Sequence, residues 1–362
     1  MDPDAVDELG SSDGATRASS GDSGLEPGSG TNGRDGRVHH GGREDPHLLD
    51  FSANTNPSTP NGVARVYDAA LSAARSYPSD DYYEYRAAAA EYVGCEGPQV
   101  IPTAGGLSAI RLAVATAVSS GETVLVPYPS FGEYAREARL QGGTPEFVPH
   151  TDIVDTDPAE YALVVVCNPN NPTGDAYDAH QLCTYAERCR EAGTPLLVDE
   201  AFIGFTDEPS LAGQDGVIVA RSLTKLFGLP GLRAGFAVAT GECRDRIDTA
   251  RQAWELGAPA ASVGAYCMQQ SEFAEAARER VADERERMRR RLARRFDVYP
   301  SDAPFLLLDI GSSEAVDEVR TTAREHGIAV RDARTFRGLD RHVRVAVRRR
   351  DENDCLLDAL DV

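Results

Sequence analysis

Ser222-Leu223-Thr224-Lys225-Leu226-Phe227-Gly228-Leu229-Pro230-Gly231-Leu232-Arg233 is the stretch on which the reading of this chain turns. Lys225 is the only lysine among 362 residues, so the other 36 of the 37 basic side chains are arginine. A surface charge can be exchanged that way. An amine that must form a covalent bond cannot, because guanidinium is a poor nucleophile at neutral pH. The retained lysine is therefore the first candidate for covalent chemistry. It stands in a Ser/Thr-rich turn between an apolar strand, Val217 to Ala220, and a Gly-rich segment.

Outward from this turn, short apolar strands alternate with helices. Strands are expected at 123–126, 163–167, 195–198, 217–220 and 235–239. Helices are expected over most of 63–93, with a break at Tyr77-Pro78, and over about 106–119, 132–141 and 179–192. That alternation implies an α/β fold whose mainly parallel central sheet is covered by helices on both faces. Ligands in such sheets sit beyond the carboxyl ends of the strands. The segments 127–131, 168–174, 199–202 and 222–225 all begin where a strand ends, so they can converge on one site. A helical stretch follows Gly241, with a charged run over 275–295 that reads as a solvated helix face. A smaller α+β lobe closes the chain, with strands at 305–310, 328–331 and 343–347 and helices at 313–326 and 352–360.

Composition narrows the function classes. The formal charge is −21, which argues against general nucleic-acid binding, and no apolar run is long enough for a membrane span. Acid in such excess with almost no lysine resembles proteins of the haloarchaeal type, adapted to a high-salt cytoplasm where surface repulsion is screened. The seven cysteines show no CxxC pair and no zinc spacing, and read as reduced thiols of a cytosolic protein without a metal site. Residues 1–38 are Gly-, Ser- and Asp-rich and predict a disordered acidic arm. The arm is too acidic and too glycine-rich to be a DNA-binding helix-turn-helix module, which removes a regulator built on this fold. Asn54 and Asn56, ahead of Pro57, read as turn chemistry.

Three motifs carry a family resemblance: SLTKLFGLPGLRAGF (222–236), NPNNPTG (168–174) and VDEAF (198–202). Together, in this order and spacing, they resemble the fold type I enzymes that use pyridoxal 5′-phosphate, in the class I/II aminotransferase family, over roughly residues 40–362. The resemblance implies Lys225 as the covalent anchor of the cofactor and Asp199 as the partner of its pyridine nitrogen. It implies Asn171 on the phenolic oxygen and Phe131 stacked on the ring. Gly105, Gly106, Leu107, Ser222 and Arg233 would form the phosphate cup. It further implies an N-terminal segment (39–75) shared by the substrate site and the small domain, a large cofactor domain (76–255), a linking helix with the small domain (256–362), and a homodimer with composite sites. One residue departs from the pattern: most of these aminotransferases have tyrosine where this chain has Phe202, so a hydroxyl contact to the cofactor is lost.

Two subfamilies share this scaffold, histidinol-phosphate aminotransferase and the threonine-phosphate decarboxylase of cobalamin synthesis. Four features resemble the decarboxylase: His40-Gly41-Gly42 ahead of Asp50-Phe51-Ser52-Ala53-Asn54; Phe202; Ile328-Ala329-Val330-Arg331-Asp332 followed by Phe336-Arg337-Gly338-Leu339; and Val343-Arg344-Val345-Ala346-Val347-Arg348. Carried over residue by residue, the substrate contacts would be His40, Gly41, Asn54, Asn171, Arg331 and Arg344. The expected reaction is decarboxylation of O-phospho-L-threonine, with a phosphate-accepting aminotransferase as the alternative. Which bond at the substrate's Cα stands perpendicular to the cofactor ring would decide between them.

Overall fold

The computed structural model describes residues 1–11, 37, 38, 40–42, 45 and 47–362. Its centre is a seven-stranded sheet, in spatial order Val100–Thr103, Gly235–Val238, Val217–Ser222, Leu196–Asp199, Leu163–Cys167, Thr123–Tyr128 and Thr144–Pro149. Only Gly235–Val238 runs against its neighbours; the rest are parallel. Alternate side chains of one strand enter different cores. Val164 and Val166 pack on one face with Leu196, Val198 and Val219, whereas Leu163, Val165 and Cys167 pack on the other with Leu197 and Ile218. Burial on both faces is why these strands read as continuous apolar runs.

The antiparallel strand has a functional consequence. Thr103, Tyr128, Cys167, Asp199 and Ser222 all lie at the carboxyl end of the sheet, and the strand that begins at Gly235 starts there too. Arg233 is thereby brought to the same end as the lysine turn.

Thr144–Pro149 is a strand that hydropathy does not announce. It is an edge strand, carries Pro145 and Pro149, and is only partly buried. Proline is tolerated at an edge because one row of N–H groups has no partner there.

The small lobe is an antiparallel sheet in the order Arg331–Asp332, His342–Ala346, Phe305–Asp309, Asp297–Val298. The single strand expected at 328–331 is two. Ile328–Ala329 pairs in parallel with Leu49–Asp50, and Arg331–Asp332 joins the small sheet. Residues 49–50 are thus fastened to the small lobe, which leads the following segment, 51–58, past the lysine turn.

Two further expectations need correction. Within the arm expected to be disordered, Pro3–Ser11 form a helix tied to the large lobe by the Asp2 N–H, which donates to the Leu140 carbonyl at 3.0 Å. Pro3 at the first helical position and the Asp2 carboxylate, which accepts from the Asp4 N–H, are favourable start signals. Residues 12–36 of the arm lie outside the described residues. The charged run at 275–295 lies mostly in helix Ser271–Leu292, and it is more than a solvated face. Ala274, Ala277, Val281, Met288 and Leu292 are buried, and so is Glu284, held by Arg287 and Asn353.

Candidate active site

At the carboxyl end of the large sheet, a cavity of about 310 Å³ opens between the lobes. Lys225, Asp199, Asn171, Phe131, Phe202, Gly106, Leu107, Ser222 and Arg233 line it from the large lobe. Arg331 and Arg344 line it from the small lobe, and His40, Gly41 and Asn54 from the N-terminal segment. Gly105 is the one sequence-selected residue not on the wall; it stands behind it, against Arg233.

The lysine turn is held by backbone contacts. The Asn56 N–H donates to the Lys225 carbonyl at 2.9 Å, and the Asn56 side-chain amide donates to the Leu226 carbonyl at 2.8 Å. Asn56 also accepts from the Ser58 N–H, the turn role its sequence suggests, and from Arg280 of the long helix. Gly228, at φ +68°, lets the segment 56–58 approach: a Cβ there would stand 2.5 Å from the Ser58 carbonyl oxygen. Burial, with Arg344 and Arg233 nearby, brings the Lys225 amine down to about 8. At neutral pH roughly a tenth of such amines are unprotonated, far more than for an ordinary lysine. Covalent capture of an aldehyde by the protein without cofactor should therefore speed up about tenfold per pH unit to about pH 8 and then level off. Stopped-flow absorbance on adding pyridoxal 5′-phosphate measures this; a rate still climbing steeply at pH 10 would contradict it.

Asp199 is the only carboxylate among the described lining residues. It is buried, and burial pushes its carboxyl above the usual range. The Ala201 N–H donates to one oxygen at 3.0 Å, and the Tyr134 hydroxyl donates to the other at 2.6 Å. Tyr134 is fully buried and makes an edge contact with Phe131 at 5.6 Å. Sequence reading missed it. Its signal was spacing: Tyr134 follows Phe131 by three residues at a helix start, so one turn delivers both a ring for the cavity and a hydroxyl for Asp199.

Phe202 packs edge-on against Phe305 at 5.2 Å, and the Lys225 Nζ lies 5.9 Å from its ring centre. The side chain contributes shape and a π face where a tyrosine would add a hydroxyl.

Helix Gly106–Ala117 points its N-terminus into the cavity, presenting backbone N–H groups to an anion. The Ser222 and Thr224 hydroxyls are 2.8 Å apart beside it. Thr224 was also missed in the sequence, although it belongs to the same turn. Gly105 has φ +95°, and a Cβ there would stand 2.7 Å from Arg233 Nη2. Gly105→Ala combines a positive-φ extended backbone (φ 95°, ψ 167°) open essentially to glycine alone, costing about 1–3 kcal/mol, with displacement of that guanidinium. We expect the variant to fold but to lose cofactor on dialysis at least tenfold faster. Unchanged retention would show that Arg233 and Gly105 do not shape the anion site.

Arg331 and Arg344 are directly opposed on neighbouring strands, and both are buried. Arg331 donates to the His40 carbonyl at 3.1 Å and to the Thr335 hydroxyl at 2.9 Å. Arg344 donates to the Asn171 side-chain oxygen and to the Ser52 carbonyl, the latter at 2.9 Å. Burial and Arg331 push Arg344 down to about 9, so an anion placed there would be favourably held. With its oxygen taken by Arg344, Asn171 retains its NH₂ as a donor. The Asn54 side-chain oxygen is buried with no hydrogen-bond partner among the described residues, a group that awaits a ligand donor. His40 pairs with Glu133 at 2.9 Å and lies 5.6 Å from the Phe131 ring centre. Gly41 crosses so close to the Ser52 carbonyl that a Cβ would stand 2.2 Å from it.

These residues fit pyridoxal 5′-phosphate: an amine with lowered proton affinity, one buried carboxylate, an aromatic wall, and a helix N-terminus with hydroxyls and an arginine. The small-lobe arginines and the orphaned Asn54 oxygen remain for a substrate.

Comparison with known proteins bears on the same residues. The family model for aminotransferase class I and II matches residues 46–360. A threonine-phosphate decarboxylase of Salmonella typhimurium is 31% identical over 333 residues, covering 86% of this chain and 90% of that protein. Histidinol-phosphate aminotransferase 2 of Archaeoglobus fulgidus is 29% identical over 327 residues, covering 87% and 93%. Among solved structures, histidinol-phosphate aminotransferase from Sinorhizobium meliloti, in complex with pyridoxal 5′-phosphate, superimposes with a TM-score of 0.77 at 22% identity, covering 85% and 88%.

Proposed function

The chain belongs to the aminotransferase class I and II family and is a pyridoxal 5′-phosphate-dependent enzyme; from that premise we propose that it decarboxylates O-phospho-L-threonine to (R)-1-aminopropan-2-yl phosphate and CO2 in cobalamin synthesis. The observation that carries this reading is the buried Arg331–Arg344 pair. The proposed substrate presents a carboxylate and a phosphate on one short skeleton. Two guanidiniums from adjacent strands suit both, with bidentate contacts that fix orientation as well as charge. Histidinol phosphate lacks the carboxylate.

The bound cofactor supplies an electron sink for the bonding pair released at the substrate's Cα. The protein's own work is then positional. Arg331 and Arg344 hold the two anionic groups, and the Asn54 oxygen accepts from the substrate's amino group. Phe131 and Phe202 wall the site against water. Lys225, once its amine is free, delivers a proton to the Cα that has lost CO2. Small rotations of the substrate decide which Cα bond breaks, so the arginines act by orientation.

Tyr67, Leu71, Tyr77, Tyr83 and Trp254 are exposed apolar side chains, Tyr77 and Trp254 being stacked at 4.4 Å. Such apolar surface supports a homodimer. No helix among the described residues is long and apolar enough to cross a membrane.

The reading is tested by product identity. With O-phospho-L-threonine alone, mass spectrometry should find aminopropanol phosphate, and histidinol phosphate with 2-oxoglutarate should yield no glutamate. The opposite pair of results would make the protein a histidinol-phosphate aminotransferase.

A further inference from the structure

A second cavity, of about 510 Å³, lies behind the first and shares Phe131, Gly132 and Thr335 with it. Arg139, at the end of helix Glu133–Leu140, and Arg337, in the small lobe, both line it. Neither guanidinium has a carboxylate or hydrogen-bond partner among the described residues. Their neighbours do. Arg136 on the same helix pairs with Glu133 and Glu137, Arg334 with Asp317 and Asp332, and Arg341 with Asp309. In a chain with 58 acidic side chains against 37 basic ones, two adjacent, half-buried arginines without an acid call for a different counter-charge. Burial and the nearby Arg337 both lower the proton affinity of Arg139. The rest of the wall is largely apolar, with Tyr128 and Phe147 prominent, and Arg337 is laid over the Phe147 ring at 3.9 Å from its centre.

We propose that this cavity is an anion site separate from the cofactor and substrate pocket, built for a small organic phosphate whose apolar body rests on Tyr128 and Phe147. Two guanidinium forks match phosphate geometry better than ammonium groups would, and the volume suits a small organic molecule. One fork comes from each lobe, and the shared wall includes the stacking residue Phe131. Occupancy therefore joins the lobes beside the main pocket. The site does not depend on which reaction that pocket carries out.

Phenyl phosphate is a suitable probe, titrated calorimetrically into the cofactor-loaded enzyme so that the cofactor's phosphate cup is filled. We expect two binding events per chain in the native protein, one in the substrate pocket and one here. Arg139→Gln/Arg337→Gln should lose one event or weaken it at least tenfold, with the cofactor's visible spectrum unchanged as evidence of folding. Arg331→Gln/Arg344→Gln should lose the other. If the double variant does not load cofactor, Arg139→Gln alone should still weaken the second event severalfold. Inorganic phosphate should bind at the second site at least tenfold more weakly than phenyl phosphate. Identical isotherms for native protein and the Arg139/Arg337 variants would overturn the site. Equal affinity for the two probes would overturn its organic class.

Discussion

Lys225→Ala is expected to abolish both turnover and the visible absorbance of covalently held cofactor, with activity falling by about 10⁴-fold or more. The residue is irreplaceable within its own sequence: no second lysine exists to capture the cofactor. Lys225→Arg should fail equally, although it keeps the charge, because guanidinium is not the nucleophile required. The loss should not come from unfolding. The turn is fixed by backbone bonds to Asn56 and by close passage over Gly228, contacts that alanine leaves intact. Near-native thermal stability with absent absorbance is therefore the expected pair of results. A Lys225→Ala protein that still turns over would remove the covalent anchor from the mechanism.

Asp199→Asn should have the next largest effect, about 10²-fold or more in turnover. It removes the only carboxylate among the described lining residues, and with it the group that, on the proposed reading, would keep a bound pyridine nitrogen protonated. Cofactor should still attach through Lys225, so absorbance persists while activity does not. Tyr134→Phe provides a graded comparison, since it deletes one donor to Asp199 and leaves the charge. Hydrogen bonds to charged groups are worth ~1.5–3 kcal/mol, so its effect should be smaller, with a shift in the pH dependence of the cofactor spectrum. A Tyr134→Phe loss as large as that of Asp199→Asn would mean the tyrosine acts directly on the reacting atoms.

Much of this site was legible because its chemistry demands particular residue types. On the proposed chemistry only an amine would serve at Lys225 and only an acid at Asp199, and the strands that deliver them are uninterrupted apolar runs. What escaped the sequence depends on packing. Tyr134 reads as an ordinary core aromatic until its hydroxyl meets Asp199. Asn56 reads as a turn former until its amide grips the lysine turn. Thr144–Pro149 carries prolines that argue against a strand, and only its edge position permits one. The break between Ile328–Ala329 and Arg331–Asp332 is equally invisible, because two short strands that enter different sheets are separated by the single residue Val330. The helix at Pro3–Ser11 is too short to be stable alone and is held by its docking on the large lobe.

CO2 released per active site from O-phospho-L-threonine, with cofactor bound and no keto acid present, probes the proposed reaction most directly. A decarboxylase regenerates its cofactor in each cycle, so release should continue linearly through many equivalents, with aminopropanol phosphate formed in equal amount. No CO2, with the cofactor converted once to its amine form and then inert, would contradict decarboxylation and make the protein an aminotransferase.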